Sequence, residues 1–329
     1  MNFFFSEALK KDVSKLGLGS WAIGGWLWGG SNDRESSAAI EEALAHGVNF
    51  IDTAPIYGFG KAESLIGKVI ASLGLRESII LATKCGLEWN EKQTNIRRNS
   101  TPERIRKEID ESRYRLQTDY IDLYQIHWPD IKTPFWQSLE TLAKLQSQNT
   151  IRAIGLSNFS LEQLESCLKV MPIQFVQLPY NLYEREIEKE MLSFCQEKNI
   201  PVLGYGGLCR GLLTGKFSRF SIIKEDDIRF YDPKFKADCI LKYVAANRSL
   251  NEIAKSLKIS LPQLALRWAS SRKGIGSMLV GVRSAAQAKE NFGFDLTPIQ
   301  SDIHKEIDQI LTVSVPQPIG VEFMAPSLS

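Results

Sequence analysis

Asp52, Tyr57, Lys84 and His127 are the residues of this chain best suited to do chemistry together, because each stands where a short apolar run stops. Asn49-Phe50-Ile51 runs into Asp52, followed by small Thr53 and Ala54, by Pro55, which cannot extend a ladder, and by Gly58, which permits a turn. Asp52 is therefore expected at a strand's C-terminal end, with Tyr57 on the loop beyond. Ile79 to Lys84 is a second apolar run that ends on a cation, and Ile121 to Ile126 a third that ends on His127. A free tyrosine titrates near pH ~10, and a neighbouring ammonium favours the phenolate, so Lys84 is expected to lower the Tyr57 pKa. Asp52 could hold Lys84 charged and oriented, and His127 could hydrogen-bond a substrate oxygen or share the tyrosine proton. Such a set suits protonation of a carbonyl oxygen as a hydride reaches its carbon. Singly, each has a plainer reading: a capping aspartate, a packed tyrosine, a structural ion pair, a core histidine. Their joint placement is the informative part.

The elements that would position them alternate strand and helix about eight times. Strands are expected at Leu16 to Gly19, Phe50 to Asp52, Ile79 to Lys84, Ile121 to Ile126, Ile151 to Leu156, Phe175 to Gln177, Pro201 to Tyr205 and Ser277 to Val280. Helices are expected between them, one opening at Thr101-Pro102 with Thr as N-cap and Pro at the first helical position, another after Ser160. Strand–helix alternation means a parallel sheet with right-handed crossovers, and eight units suit a closed (β/α)8 TIM barrel whose site lies at the C-terminal face of its strands. Gly17-Leu18-Gly19 and Gly24-Gly25 lack the spacing and following helix of an open-sheet dinucleotide fingerprint. With no low-complexity linker, residues 1–329 read as one barrel domain. Met1 to Ser14 is expected as a hairpin plugging the barrel bottom, and Thr312 to Ser329 as a tail packed across the surface.

Composition narrows the class. A net charge of +2 and the lack of a long basic run argue against a nucleic-acid partner. No apolar run is long enough for a membrane span, and Phe3-Phe4-Phe5 is too short for a signal-peptide core, so a cytoplasmic protein without a membrane partner is expected. Cys85, Cys167, Cys195, Cys209 and Cys239 are scattered, odd in number and form no CxxC pair, which reads as reduced thiols. The three histidines are equally dispersed, and no metal is expected. Cys85, next to Lys84, should point away from it as a core thiol.

In order and spacing, Gly17-Leu18-Gly19-Ser20-Trp21, Phe50 to Gly58, Ala82-Thr83-Lys84, Ile126-His127-Trp128-Pro129, Ile154 to Phe159, Gln177 to Asn181 and Gly211 to Lys216 resemble the aldo-keto reductases over nearly the whole chain. Trp21-Ala22-Ile23-Gly24-Gly25-Trp26 is similar to the bacterial general-stress and inositol-operon type within that family. The resemblance implies a catalytic tetrad of Asp52, Tyr57, Lys84 and His127, with Tyr57 as proton donor to an aldehyde or ketone. It implies a nicotinamide carboxamide held by Ser157, Asn158 and Gln177, Tyr205 stacked on the ring, and Ser20 and Trp21 beside it. The loop from Gly206 to Lys216 would wrap the pyrophosphate with backbone N–H groups, Gly207 and Leu208 among them, plus Arg210 and Lys216. Gly281-Val282-Arg283-Ser284 and Gln287-x-x-Glu290-Asn291 resemble the adenosine-phosphate site, with Arg283 facing a 2′-phosphate at a helix N-terminus. Arg229 is a further expected contact.

Two departures bear on the cofactor. Gly206-Gly207 replaces the family's usual Ser-Pro, and Val282 stands where a hydroxyl residue is more common. NADPH is expected over NADH. Trp26, Trp28, Trp89 and Trp128 are expected to line an apolar pocket for a small carbonyl compound. Two rival readings are a cofactor sensor resembling the potassium-channel β subunits, with little turnover, and a Schiff-base lyase with Lys84 as nucleophile.

Overall fold

The computed structural model describes residues 1–327. Eight parallel strands close into a barrel: β1 (Leu16–Gly19), β2 (Phe50–Asp52), β3 (Ile80–Cys85), β4 (Ile121–Ile126), β5 (Ile151–Ser157), β6 (Phe175–Pro179), β7 (Val202–Tyr205) and β8 (Ile275–Gly281). Neighbours in sequence are neighbours in the barrel, and β8 returns to β1, pairing Leu279 with Gly17 and Gly281 with Gly19. The strands are short and almost wholly buried, as strands covered on both faces must be.

Alternate residues divide the core. Phe50, Ile80, Ala82, Leu123, Ala153, Phe175, Leu203 and Leu279 fill the barrel interior. Their strand neighbours, such as Ile51, Leu81, Tyr124 and Ile154, pack outward beneath the helices. Gly17 is small for a reason: a Cβ there would stand 2.8 Å from the Phe50 ring. The bottom is closed by an antiparallel hairpin, Phe3–Ser6 with Lys11–Ser14, which inserts Val13, Phe4 and Leu9 against the interior cluster.

The helices begin where local chemistry tells them to. Thr101 caps Pro102–Leu116 by accepting from Arg104 N, and Ser160 and Gln163 form a reciprocal capping box at Leu161–Leu168. A second capping box, Ser260 with Gln263, opens Leu261–Ser270. The chain also holds a helix at Ser301–Ser314, so the tail expected from Thr312 starts three residues later. Beyond it the chain turns back towards the barrel mouth, where Lys234 Nζ donates to the Gly320 carbonyl at 2.8 Å. Among the described residues no helix is long and apolar enough to cross a membrane.

Glu108, on the inner face of Pro102–Leu116, is buried directly below the end of β3. It accepts from Gly86 N at 2.7 Å and Arg104 Nη2 at 2.9 Å, yet burial outweighs both and lifts its carboxyl from 4.5 to about 7. The native protein therefore keeps a proton that the unfolded chain releases at lower pH, and stability should fall as pH rises between those two values. Chemical-denaturation midpoints for Glu108→Gln should show a shallower decline across that window than wild type, by on the order of 3 kcal/mol at its upper end. Equal slopes would show that Glu108 is ionised in the native state throughout.

Candidate active site

β2 ends on Asp52, β3 carries Lys84 on its last turn of pleat, β4 leads into His127, and the loop after β2 carries Tyr57. The barrel gathers these four at one mouth. Lys84 Nζ donates to Asp52 Oδ2 at 2.6 Å, to the Thr53 carbonyl at 3.0 Å and to the Tyr57 hydroxyl at 3.4 Å. The His127 ring stands edge-on to Tyr57, centroids 5.9 Å apart. Cys85 points away into the outer core, as strand alternation requires.

Two glycines set the position of Tyr57. A Cβ on Gly24 would lie 2.4 Å from the Tyr57 carbonyl carbon, and one on Gly58, at φ +67°, would lie 2.2 Å from the Gly24 oxygen. Backbone therefore meets backbone, and the Trp21 ring stacks on Tyr57 with centroids 6.0 Å apart.

The ionisation states differ from the sequence expectation. Burial, then the Asp52 carboxylate, pushes the Tyr57 hydroxyl well above its ordinary 10 instead of lowering it. The Lys84 ammonium that was to favour phenolate is held closer to Asp52 than to Tyr57, and burial lowers its own pKa against the pull of Asp52 and Glu63. Burial, then the Lys84 charge, drives His127 well below 6.5. At neutral pH the site thus presents a protonated phenol and a neutral imidazole. With all three Nζ hydrogens engaged and no solvent exposure, Lys84 is badly placed to attack a carbonyl as a lyase nucleophile.

A cleft of about 1070 Å³ opens above the four. Ser20, Trp21, Asp52, Ser157, Asn158, Gln177 and Tyr205 line its centre. Gly207, Leu208, Arg210, Lys216 and Arg229 line one flank, and Gly281, Arg283, Gln287, Glu290 and Asn291 line the far end. Trp26, Trp28 and Trp128 line the near end, but Trp89 does not. It packs behind Phe59, centroids 5.4 Å apart, with the Arg104 guanidinium over its face. Leu87 and Ile96, at a small hairpin of Leu87–Glu88 with Arg97–Arg98, line the wall, and Trp89 joins them in one apolar cluster without reaching the cleft.

Several polar groups in the cleft are already committed. Asn158, at φ +64°, donates to the His127 carbonyl and Ser157 Oγ and accepts from the Tyr205 hydroxyl at 2.8 Å. Arg210 is buried, its Nε donating to Asp232 at 2.7 Å and its Nη2 to Glu184, and Lys234 joins the same two carboxylates. Of its guanidinium nitrogens, only Nη1 has no partner among the described residues. Arg229 is paired with Asp227 and lies over Trp28. Arg283 donates to the Gly30 carbonyl, and Gly29 N to the Asp226 carbonyl, so the loop after β1 meets the segment after β7 across the cleft.

Other groups are free. Among the described residues Ser20 Oγ is buried without a partner, as are Trp21 Nε1 and Trp28 Nε1. The backbone N–H groups of Gly207 and Leu208 have no acceptor among the described residues, in a loop where Gly206, Cys209, Arg210 and Gly211 all have positive φ. Such a turn gathers N–H groups into an anion-binding nest.

Sequence reasoning missed two contributors. Gln125 on β4 donates to Asp52 Oδ1 at 3.1 Å; it lies two residues before His127, so strand period pointed to it. Phe323, Met324 and Pro326 also line the cleft, with Phe323 under the Arg210 and Lys234 cations.

A closed parallel barrel with a buried lysine–carboxylate pair beneath a mouth-side tyrosine is the frame of a barrel enzyme, and the comparisons say which. Residues 15–312 match the model of the Aldo/keto reductase family. The chain is 42% identical over 316 residues to aldo-keto reductase YhdN of Bacillus subtilis, covering 96% of this chain and 95% of that one. It is 32% identical to the NADH-specific methylglyoxal reductase of Escherichia coli, over 91% of this chain and 96% of that one. The solved structure of the glycerol dehydrogenase AKR11B4 from Gluconobacter oxydans superposes with a TM-score of 0.87 at 41% identity, covering 98% and 99% of the two chains. The chain belongs to the aldo/keto reductase family. It is thus an oxidoreductase of a family that uses a nicotinamide cofactor on small carbonyl compounds.

The low proton affinity of His127 is directly measurable. Histidine ring resonances followed by NMR from about pH 8 to about pH 6, with His127→Gln for assignment, should show the His127 signal at its neutral position throughout. A midpoint inside that range would mean a charged imidazole at the site.

Proposed function

We propose that this protein is an NADPH-dependent reductase of aldehydes and ketones to alcohols, with Tyr57 as the proton donor. The observation that carries this reading is the Tyr57 hydroxyl at the cleft, 3.4 Å from the Nζ of Lys84 in the buried Lys84–Asp52 pair. When bound, the nicotinamide supplies the hydride. Tyr57 gives its proton to the carbonyl oxygen, and Lys84, 3.4 Å behind it, stabilises the phenolate left behind. Neutral His127 offers an N–H to the same oxygen and orients the carbonyl.

The free groups of the cleft suit the cofactor. Ser157 and the uncommitted Oε1 of Gln177 supply a donor and an acceptor for a carboxamide, and Ser20 Oγ is an open polar atom beside them. The nest at Gly207 and Leu208, with Arg210 Nη1 and exposed Lys216, fits a pyrophosphate. Arg283, flanking the N-terminus of helix Ala285–Phe292, fits a 2′-phosphate and favours NADPH over NADH. Trp26, Ile56, Leu87 and Trp128 make an apolar wall for the substrate, which favours carbonyls with hydrophobic substituents. Five free thiols fit a reducing compartment, and we read the enzyme as cytoplasmic.

NADPH oxidation against a panel of aromatic, aliphatic and sugar-derived carbonyls tests the reading. Tyr57→Phe should lose roughly 10²–10⁴-fold in turnover while still binding NADPH. Tight binding without turnover on any carbonyl would turn the reading to a cofactor sensor, and no NADPH binding would sink both. Separately, Arg283→Ala should weaken NADPH by about tenfold or more in Kd and leave NADH nearly unchanged. Equal losses for both cofactors would remove Arg283 from the 2′-phosphate.

A further inference from the structure

At the cleft floor, three side chains from alternate strands meet in one layer of the barrel: Asp52 from β2, Gln125 from β4 and Gln177 from β6. All three are buried. Gln177 Nε2 donates to Asp52 Oδ1 at 2.8 Å and to Gln125 Oε1 at 3.2 Å, and Gln125 Nε2 donates to the same Asp52 oxygen at 3.1 Å. The other Asp52 oxygen is thereby left to Lys84 at 2.6 Å. The space that Gln125 occupies is kept open by Gly155 on β5, where a Cβ would stand 2.9 Å from Gln125 Cγ and 3.3 Å from its Oε1.

An inventory of donors and acceptors shows what this does. A primary amide has two N–H donors and one carbonyl oxygen. Both donors of Gln177 are engaged inward, one by Asp52 and one by Gln125. Its Oε1 has no partner among the described residues and belongs to a side chain that lines the cleft. Without the Gln125 oxygen, one Gln177 N–H would be left unpaired in a buried site, and the amide would gain by turning it outward.

We propose that Gln125 is a positioning residue that fixes the Gln177 amide with its oxygen towards the cleft, so that the site reads the N–H side of the nicotinamide carboxamide, and that holds the Asp52 carboxylate on Lys84. One buried amide thus ties carboxamide recognition to the proton-donating tyrosine. The inference rests on the proposed nicotinamide site, and it goes beyond the four catalytic groups and the carboxamide contacts themselves.

The experiment compares affinity for NADPH with that for its reduced 3-acetylpyridine analogue, in which a methyl replaces the carboxamide NH2. Both are read by quenching of tryptophan fluorescence, without turnover. Wild type should prefer the carboxamide, and Gln125→Leu, similar in size and unable to accept, should lose about fivefold of that preference. Gln125→Glu separates positioning from packing. Its carboxyl keeps an oxygen that accepts from Gln177 in either protonation state, so the preference that Gln125→Leu loses should be retained. Gln125→Met, likewise unable to accept, gives the same reading if Gln125→Leu proves unfolded by thermal melting. A wild type that binds both cofactors without preference, an unchanged preference in Gln125→Leu or Gln125→Met, or a preference lost in Gln125→Glu would each overturn the proposal. A wild type that binds neither cofactor would instead refute the nicotinamide site on which it stands.

Discussion

The site depends on one ion pair sealed from water. Lys84 and Asp52 sit at 0% and 3% side-chain exposure with their charged atoms 2.6 Å apart. A buried pair is tolerable only when its remaining hydrogens and lone pairs are also satisfied, because the lost hydration of two ions exceeds what a bare contact returns. Here the Thr53 carbonyl, Tyr57, Gln125 and Gln177 complete both shells. The partners come from β2, β3, β4 and β6, so the ion pair also pins four strands to one register at the mouth. Removal of either charge would strand the other in the barrel, a loss of about 3–5 kcal/mol. The same seal that makes the pair costly makes it effective, since a field in a dry site acts on Tyr57 with little screening.

A second buried cluster plays the corresponding part for the loop after β7. Glu184, Arg210, Asp232 and Lys234 form two cations against two carboxylates, all nearly out of solvent. Burial alone would raise the Glu184 carboxyl, but Arg210 and Lys234 outweigh it and hold it below its usual range. Four separate segments are fastened here: the loop after β6, the loop after β7, the 232–234 turn and, through Gly320 and Phe323, the returning tail.

How far the sequence foretold this depended on how local each cause was. Strand ends were legible because apolar runs stop sharply at Asp52, Lys84 and His127, and helix starts because Thr101-Pro102 and Ser160 carry their own caps. The hairpin that brings Leu87 to the cleft wall has strands of two residues, too short for any period to appear. Ile303, Ile307, Ile310 and Leu311 did carry a helical period, and the extra helix of Ser301–Ser314 lay within reach of the pattern. The tail's return to the cleft rests on single contacts far apart in sequence, which leave no periodic trace. The ionisation of Tyr57 was misjudged for a deeper reason. Proximity to Lys84 can be guessed from strand order, but burial is a sum over every element packed around the site, and it decided the sign.

These clusters also limit how the cleft attracts an anionic ligand. Of the basic side chains along it, Arg210 and Arg229 are paired with acids, and the chain carries a net charge of only +2. Beyond Lys216 and Arg283, little long-range steering is available, so recognition rests largely on groups whose partners are missing: the N–H groups of Gly207 and Leu208, Arg210 Nη1, Ser20 Oγ, Gln177 Oε1. All but Ser20 Oγ are oriented by their surroundings. Arg210 is held by its carboxylates, Gln177 by Asp52 and Gln125, and the nest by a run of left-handed residues that glycine permits at Gly206 and Gly211. Complete pairing below the surface is what leaves a short, fixed set of unpaired atoms above it. A site arranged this way is selective by geometry, and salt should weaken its ligand less than it would weaken one drawn in by net charge.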